Sequence, residues 1–402
     1  MKVAVVGGGI TGLSLSYYLA KEGHQAELFE KEDHLGGLAS TFKIEDARIE
    51  KFYHHFFSTD EHLIGLILEL GLTRNLIWAK SSMGYYTNGK IHPFTSPFDL
   101  LSFSPISIWS RVRLGLLSLS SKKIKDWRPL SKISAKDWLI ERIGQEAYSV
   151  VWEPLLISKF GSEHNSVPAA WVWARLAARA KTRGIMSEKL GYLRGGLDQL
   201  FDSMAEGIRA RGGKVRLKSP IEDIDSLNDY DRIIFTMAPP LVSDIIKIGK
   251  PTRYAGNICV VLKINDPVSG YYWTNIGDPS ITFCAIVEQN NAFDDKRYNG
   301  KRIIYLSKYT SHDDRLWGLM DEEIIDLFVK DLNKIKPGIN YEAAYVFRNK
   351  WAQPLISLNY AAPPFEIEKG RIYMVNNAQI YPRDRGINDS ISLAKQFAGR
   401  YN

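Results

Sequence analysis

Apolar and polar residues at the start of the chain follow two different periods. The run KVAVV is short and rich in β-branched side chains, which is typical of a buried parallel strand. In residues 11–22, Leu13, Tyr17 and Ala20 recur at helical spacing. The next apolar run, QAELFE, ends at Glu30. This order predicts a strand, a helix and a second strand parallel to the first.

A similar order returns later in the chain. After Gly195 and Gly196, a helical stripe of apolar residues precedes the strand-like runs KVRLKSPIEDI and YDRIIFTMAPP. Further on, GRIYMVNN predicts a strand, and a helix begins near Gly386. The pattern of the first forty residues therefore recurs. The stripe comprises Leu197, Leu200, Phe201, Met204 and Ile208.

The segments between these pieces have other patterns. Residues 98–189 are rich in helix formers, with Ser134 as the expected cap of one helix. Residues 239–348 contain several strand-like runs, which predict a mostly antiparallel sheet, and Asn88-Gly89 between aromatic-rich flanks predicts a hairpin. The stretch ISIWSRVRLGLLSLSSKK predicts an amphipathic helix with basic residues. We favour packing against a protein core over membrane contact for this helix.

Composition excludes several classes of protein. The 402 residues carry 52 basic and 45 acidic side chains, a net charge of +7, without a basic block interleaved with aromatics. Anionic partners are mildly favoured, and nucleic acid is not expected. Two distant cysteines, Cys259 and Cys284, argue against a disulfide framework or a metal site and fit a cytoplasmic protein. Glycines interrupt the apolar run after Lys2, so we expect neither a signal peptide nor a membrane span.

The glycines of the first turn indicate a dinucleotide site. Gly7 permits a tight turn, Gly9 lets the backbone approach a pyrophosphate, and Gly12 lets the helix pack closely on the strand. The start of the helix would face the anion. Glu30, at the end of the second strand, can accept hydrogen bonds from a ribose diol. We therefore predict dinucleotide binding.

A second glycine pair, Gly36-Gly37 in EKEDHLGGLAS, carries a resemblance to a known family. The chain resembles the flavoproteins with two dinucleotide-binding domains, which include amine oxidases, protoporphyrinogen oxidase, phytoene desaturases and UDP-galactopyranose mutase. The resemblance implies FAD, held without a covalent bond. Many amine oxidases have arginine where this chain has Leu38. The implied cofactor-binding residues are Gly7, Gly9, Ile10, Thr11, Gly12, Glu30, Lys31, Gly36, Gly37, Leu38, Ile221, Asp384, Gly386, Ile387 and Asn388.

The resemblance also implies an α/β fold in which a Rossmann-like FAD-binding domain receives two insertions. One is a helical subdomain and the other is a mixed or antiparallel β-sheet substrate domain. The FAD-binding domain would comprise residues 1–80, 190–238 and 352–402, the substrate domain residues 81–97 and 239–351, and the helical subdomain residues 98–189.

Candidate substrate chemistry follows from the same resemblance. In the segment IEKFYHHFF, His55 takes the position of a mutase histidine that lies against the flavin, so we predict a catalytic role for it. Aromatic and basic residues of the sheet domain are candidates for a substrate pocket beside the flavin. Ala285 stands where the mutases carry an arginine that binds the substrate diphosphate. The substrate-binding candidates are Tyr272, Trp273, Arg348 and Trp351.

These features predict an FAD-dependent oxidoreductase that transfers a hydride between the flavin and a small organic substrate. Oxygen, a quinone or a nicotinamide is the expected electron acceptor, and NAD(P)H is a candidate donor. A flavin-dependent isomerase of a nucleotide sugar is the alternative, and a flavoprotein without catalysis is a third reading. The basic amphipathic stretch allows a cytoplasmic protein with peripheral membrane contact. The sequence does not indicate the oligomeric state.

Overall fold

The first forty residues fold as their pattern predicts. A computed structural model describes residues 1–182, 188–383 and 385–401. Strand Lys2–Val6 leads into helix Ile10–Lys21, and strand Gln25–Phe29 then pairs parallel to the first strand, with Val5 opposite Leu28. This is the predicted strand, helix and strand unit.

The chain divides into two compact units, each made of separate segments. The first unit comprises Met1–Leu76, Leu193–Arg253 and Ala361–Asn402. The second comprises Ile77–Tyr192 and Tyr254–Tyr360. The chain passes between them along the strands Leu76–Lys80 and Lys189–Leu193, among other places.

A six-stranded sheet forms the centre of the first unit. All neighbouring strands are parallel except the last pair. Because side chains alternate along a strand, Val3 and Val5 enter the hydrophobic cluster on one face while Ala4 and Val6 enter the cluster on the other. The strand order is Lys214–Arg216, Gln25–Phe29, Lys2–Val6, Arg232–Phe235, Ile372–Met374 and Glu366–Glu368.

Helices cover this sheet. The predicted stripe of the helix after Gly196 is buried, with Leu200, Phe201, Met204 and Ile208 in the same cluster as helix Ile10–Lys21. A small hairpin, Thr41–Ile44 with Ala47–Glu50, and the short strand Phe56–Phe57 complete the unit. Its helices are Ile10–Lys21, Glu61–Glu69, Asp198–Arg209, Pro239–Ser243 and Ile387–Ala398.

The second unit contains a seven-stranded, mainly antiparallel sheet. Only Trp273–Ile276 and Met83–Thr87 pair in parallel. The Asn88-Gly89 hairpin is confirmed, since both residues have positive φ, at 52° and 73°, between paired strands. The strand order is Tyr341–Pro354, Tyr254–Ile264, Arg302–Thr310, Ala285–Glu288, Trp273–Ile276, Met83–Thr87 and Lys90–Pro93.

The helices of the second unit lie mostly between residues 97 and 182. Ser134 caps one of them as predicted, since its side chain accepts a hydrogen bond from the Asp137 N–H. A turn of π-helix, Tyr148–Trp152, follows that helix. The α-helices are Pro97–Ser102, Ile108–Ser120, Ala135–Ala147, Glu153–Phe160, Ala169–Thr182 and Asp321–Ile335.

The boundaries of the units differ in detail from the predicted domains. Residues 239–253 belong to the first unit, because Val242 and Ile246 pack against the strand Arg232–Phe235. Residues 352–360 belong to the second. The predicted helical and sheet subdomains lie together in that second unit.

Candidate cofactor site

The first turn is tight because its glycines leave no room for side chains. Gly7 has φ +112°, and a Cβ on it would lie 2.8 Å from the Thr236 hydroxyl. A Cβ on Gly12 would lie 1.9 Å from the Gly7 carbonyl oxygen. The Thr236 hydroxyl lies 3.0 Å from the Val6 carbonyl oxygen and 2.9 Å from that of Gly7, so it can donate to either. Thr236 supports this turn and was not predicted.

The start of helix Ile10–Lys21 is open to an anion. Its N-cap is Gly9, no side chain caps it, and its first turn contains no acidic residue. The N–H groups at a helix start carry partial positive charge and lack partners within the helix. Ile10, Thr11 and Gly12 are therefore placed to bind phosphate through their backbone.

The glycine pair Gly36-Gly37 lies directly against the glycine turn at residues 7–12. The Gly36 N–H donates to the Gly8 carbonyl oxygen at 2.9 Å. A Cβ on Gly37 would lie 3.1 Å from the Cα of Gly9. A Cβ on Gly36, which has φ +105°, would lie 2.4 Å from the Phe201 ring. Two glycine segments thus meet at one helix start, and the half-buried Leu38 follows them.

Glu30 is a buried carboxylate at the end of the second strand. One of its oxygens accepts a hydrogen bond from the Gly8 N–H at 2.6 Å, and the other accepts from the Glu32 N–H at 2.9 Å. Glu30 is only 9% exposed. Its acceptor atoms are therefore fixed beside the glycine turn. The next residue, Lys31, is exposed and forms a surface ion pair with Glu32.

A second open helix start lies at Gly386, the N-cap of helix Ile387–Ala398, which no side chain caps. The Asn388 side chain is used elsewhere, because its oxygen accepts from the N–H groups of His62 and Leu63, at 3.0 and 3.2 Å. Asn388 thereby caps helix Glu61–Glu69, so its side-chain oxygen is not available to a cofactor. Asp384 lies outside the described residues.

Ile221 lies on the loop that follows strand Lys214–Arg216. Its side chain packs against the cluster that contains Phe29 and Phe235. Among the hydrogen bonds of the described residues, none involves the backbone of Ile221. The loop is held beside Glu30, because the Ser219 N–H donates to the Glu30 carbonyl oxygen at 2.9 Å. The predicted contact of its backbone with adenine stays a prediction.

The two histidines of IEKFYHHFF have different surroundings. His55, the predicted catalytic residue, is half-buried and packs edge-on against Phe57, with ring centroids 5.4 Å apart. The Nδ1 atom of His54 lies 2.6 Å from the Phe52 carbonyl oxygen, so Nδ1 carries the proton and donates. Loss of hydration and, to a smaller extent, the charge of Arg385 lower the pKa of His54 to about 4, although the hydrogen bond to Phe52 acts in the opposite direction. The sequence interpretation gave His54 no role, yet the structure makes it a neutral imidazole with a fixed tautomer.

We expect His54 to make the fold sensitive to acid. Its pKa is about 4 in the folded chain, against an ordinary value of 6.5, so the unfolded chain binds the proton more tightly. The stabilisation is complete above pH 6.5 and is lost as the pH falls from 6.5 towards 4. Between pH 7 and pH 4.5, the free energy of unfolding should therefore fall by about 2 to 3 kcal/mol more in wild type than in His54→Gln. Urea denaturation of both proteins at pH 7 and 4.5 measures this difference, and equal losses would contradict it.

Two predicted substrate residues, Tyr272 and the half-buried Trp273, lie next to each other in the second unit. Tyr272 is completely buried, and its ring packs edge-on against Phe293. The Trp273 indole N–H donates to the Asn275 side chain at 2.8 Å. Both side chains therefore make contacts within the second unit, at the start of strand Trp273–Ile276. Their role in substrate binding stays a prediction.

The other two candidates, Arg348 and Trp351, lie on the strand Tyr341–Pro354 at the edge of the same sheet. Arg348 forms an ion pair with Asp321, and Trp351 packs edge-on against His312 at 4.8 Å. Three strands separate this edge from Trp273–Ile276, a distance of about 19 Å at normal strand spacing. The structure therefore does not bring the two pairs of candidates side by side.

The chain is similar to known proteins both in sequence and in fold. The sequence model of the family described as "Flavin containing amine oxidoreductase" matches residues 10–239. The 15-cis-phytoene desaturase of Synechococcus elongatus is 28% identical over 255 residues, which cover 57% of this chain and 52% of that protein. The chain thus matches about half the length of this curated relative.

Solved structures share the fold across the whole chain. An oxidoreductase from Methanosarcina mazei has a TM-score of 0.76 at 17% identity, with 100% of both chains covered. Reduced UDP-galactopyranose mutase has a TM-score of 0.76 at 13% identity, covering 100% of this chain and 93% of the other. At these identities the likeness shows the fold alone.

Proposed function

The chain belongs to the family of flavin containing amine oxidoreductases, and we propose that it binds FAD without a covalent bond and transfers a hydride between the flavin and a small organic substrate. The observation that supports this most strongly is that the glycine turn at residues 7–12, the pair Gly36-Gly37 and Glu30 meet at one uncapped helix start. A bound pyrophosphate requires close backbone approach and N–H donors, and this place supplies both.

The residues of the first unit fit the parts of FAD. The backbone of Ile10, Thr11, Gly12 and Gly37 would hold the pyrophosphate. Glu30 would accept hydrogen bonds from the ribose, and Ile221 would contact the adenine. The second open helix start would serve the flavin end through the backbone of Gly386, Ile387 and Asn388. Neither Cys259 nor Cys284 is near the C-terminal motif in the sequence, which supports a noncovalent attachment.

Bound FAD supplies the hydride chemistry, and the chain supplies binding, orientation and proton handling. His54 is suited to holding a hydrogen bond at a fixed atom. Its Nδ1–H donates to the Phe52 carbonyl oxygen, and its pKa of about 4 keeps Nε2 unprotonated near neutral pH, so Nε2 is a hydrogen-bond acceptor there. Arg385, whose charge acts on His54, adjoins the N-cap Gly386. We therefore propose His54 together with His55 as the polar pair at the flavin end.

The substrate class is an organic molecule that is oxidised at a C–C or C–N bond. The test is anaerobic mixing of the oxidised, FAD-loaded protein with amines, tetrapyrroles and isoprenoids. Bleaching of the flavin, with an oxidised product identified by mass spectrometry, supports the proposal. Readmission of air and separate addition of NAD(P)H then distinguish an oxidase from a reductase. Failure of every substrate class to reduce a flavin that dithionite reduces would count against the proposed reaction.

The isomerase alternative has less support. Ala285, where the mutase resemblance expects a substrate-binding arginine, is 2% exposed within a strand of the sheet. A short apolar side chain in that place cannot pair with a diphosphate. Conversion of a UDP-sugar by the chemically reduced protein, with no net redox change, would favour this alternative over the oxidoreductase.

A further inference from the structure

The second unit has an exposed apolar face on the helices Pro97–Ser102 and Ile108–Ser120. Large apolar side chains of both helices point to solvent, and Trp109 is 77% exposed, Phe98 71% and Leu119 61%. Scattered exposed leucines are ordinary, but a contiguous group of this kind marks a binding surface. The exposed apolar face comprises Phe98, Leu101, Ile108, Trp109, Val112, Leu116 and Leu119.

The longer helix has apolar residues on two opposite sides. Leu114 and Leu117 are buried, as is Ser110, and they fall at helical spacing on one side. The exposed residues Ile108, Val112 and Leu116 recur every four positions on the other side. The expected packing against the protein core therefore accounts for only two of the seven large apolar residues of this helix.

The helix is fixed in this orientation by polar contacts. Glu146 accepts hydrogen bonds from the Ser107 N–H at 2.9 Å and from the Ser110 hydroxyl at 2.6 Å. Arg111 donates to the carbonyl oxygens of Ile106 and Leu101, at 2.9 and 2.7 Å. The bonds of Glu146 fix the longer helix to helix Ala135–Ala147, and the bond of Arg111 to Leu101 fixes it to the shorter helix, so the exposed apolar face is a built feature of the unit.

The same segment concentrates positive charge. Residues 97–132 contain seven basic and two acidic side chains, a net charge of +5, against +7 for the whole chain. One of the acids, Asp99, is engaged in the cap of the first helix. The basic residues are Arg111, Arg113, Lys122, Lys123, Lys125, Arg128 and Lys132.

Apolar and cationic groups also meet in a concavity beside the longer helix. It has a volume of about 600 Å³, and Leu116, Leu117 and Leu119 supply its apolar lining. Arg113, Lys123 and Arg142 supply its cations. This combination is complementary to an acyl chain that carries an anionic headgroup.

We propose that the exposed apolar face binds the surface of a lipid bilayer that contains anionic lipids. Helix Ile108–Ser120 would lie in the plane of the interface, with Trp109 among the headgroups and the lysines against anionic lipid. Within the described residues, every helix is too short or too polar to cross a bilayer, so the contact is peripheral. A second copy of the chain is a poorer occupant, because a two-fold interface would place two segments of charge +5 together. The proposal does not depend on the substrate.

Vesicle flotation of the full chain, as purified, tests this proposal. We expect wild type to float with phosphatidylcholine vesicles that contain phosphatidylglycerol, and to bind pure phosphatidylcholine at least about tenfold more weakly. Raising the salt concentration should weaken the binding to the anionic vesicles. Absence of binding to anionic vesicles at low salt would overturn the proposal.

Two pairs of variants separate the apolar and electrostatic contributions. Trp109→Ser/Leu116→Ser should bind anionic vesicles about tenfold or more weakly, because two large side chains no longer enter the bilayer. The matched control is Leu68→Ser/Met320→Ser, which removes two apolar side chains that are 54% and 66% exposed outside the face. Lys122→Glu/Lys123→Glu/Lys125→Glu should also lose about tenfold or more. Its control is the exposed set Lys296→Glu/Lys330→Glu/Lys336→Glu.

Circular dichroism establishes that each variant is folded. Equal binding by a face variant and its control would overturn the proposal. Size-exclusion chromatography tests whether a second copy of the chain covers the face instead. That result would be a wild-type dimer and a monomeric Trp109→Ser/Leu116→Ser, with no vesicle binding by either protein.

Discussion

Replacement of Gly12 by alanine is expected to abolish FAD binding and to destabilise the first unit by about 3 kcal/mol or more. The new Cβ would lie 1.9 Å from the Gly7 carbonyl oxygen, which is a backbone atom. Since neither backbone segment can rotate away as a side chain does, helix Ile10–Lys21 must shift from strand Lys2–Val6. That shift would also separate Gly9 from Gly37, which lie in contact in the wild type. Urea denaturation and flavin fluorescence measure the two losses.

Gly65 provides a matched control for this substitution. It lies in helix Glu61–Glu69 of the same unit, and a Cβ on it would meet nothing within 4 Å. Gly65→Ala should therefore retain FAD and gain about 0.5 to 1 kcal/mol of stability from helix propensity. Normal flavin content in Gly12→Ala would show that the close packing of helix and strand is not needed for the site.

Glu30→Ala should produce the second large effect, a loss of FAD affinity of at least about tenfold together with lower stability. The carboxylate accepts from the N–H groups of Gly8 and Glu32 and has only 9% of its surface exposed. Its removal leaves these donors without a partner, at about 1 to 3 kcal/mol for each one that stays buried, and removes the ribose acceptor. Titration of the apoprotein with FAD measures the affinity.

Two further variants test whether the charge of Glu30, or any carboxylate near it, is what FAD binding needs. Glu30→Gln retains the shape and one acceptor oxygen, so its FAD affinity should lie between those of wild type and Glu30→Ala. Glu32→Ala removes an exposed neighbouring carboxylate and keeps the backbone N–H that Glu30 uses, so its affinity should equal that of wild type. Equal affinities for Glu30→Ala and Glu32→Ala would rule out the ribose contact.

Local sequence pattern was sufficient to predict the first unit of strand, helix and strand. It also indicated that the segment with Gly36-Gly37 approaches the first turn. It was not sufficient for contacts between distant segments. Thr236 supports the Gly7 turn from 229 residues away, and Asn388 caps a helix whose first residues lie about 325 positions earlier. Such pairs depend on the order of strands in the sheet and on which helix starts lie together, and neither follows from periodicity.

The exposed apolar face illustrates a second limit of sequence patterns. The sequence does not distinguish the four leucines of helix Ile108–Ser120. Leu114 and Leu117 are buried, whereas Leu116 and Leu119 are exposed. A helix with apolar residues on opposite sides has two possible orientations towards the core. Contacts from Glu146 and Arg111 select one of them, and these contacts appear only once the helices have packed.

His54 and His55 show a third limit. Two adjacent histidines in an aromatic run cannot be told apart by periodicity. Only the resemblance to the mutases singled out His55. The structure distinguishes them through their contacts, since His54 donates to the Phe52 carbonyl oxygen and His55 packs edge-on against Phe57. The lowered pKa of His54 depends on its tertiary surroundings and is not visible in a sequence.

The most direct test of the proposed cofactor site is the absorbance spectrum of the purified full chain, followed by acid precipitation and identification of the released flavin. We predict a yellow protein that releases about one FAD per chain into the supernatant. A folded but colourless protein that excess FAD cannot reconstitute would contradict the proposed site and, with it, the assigned reaction.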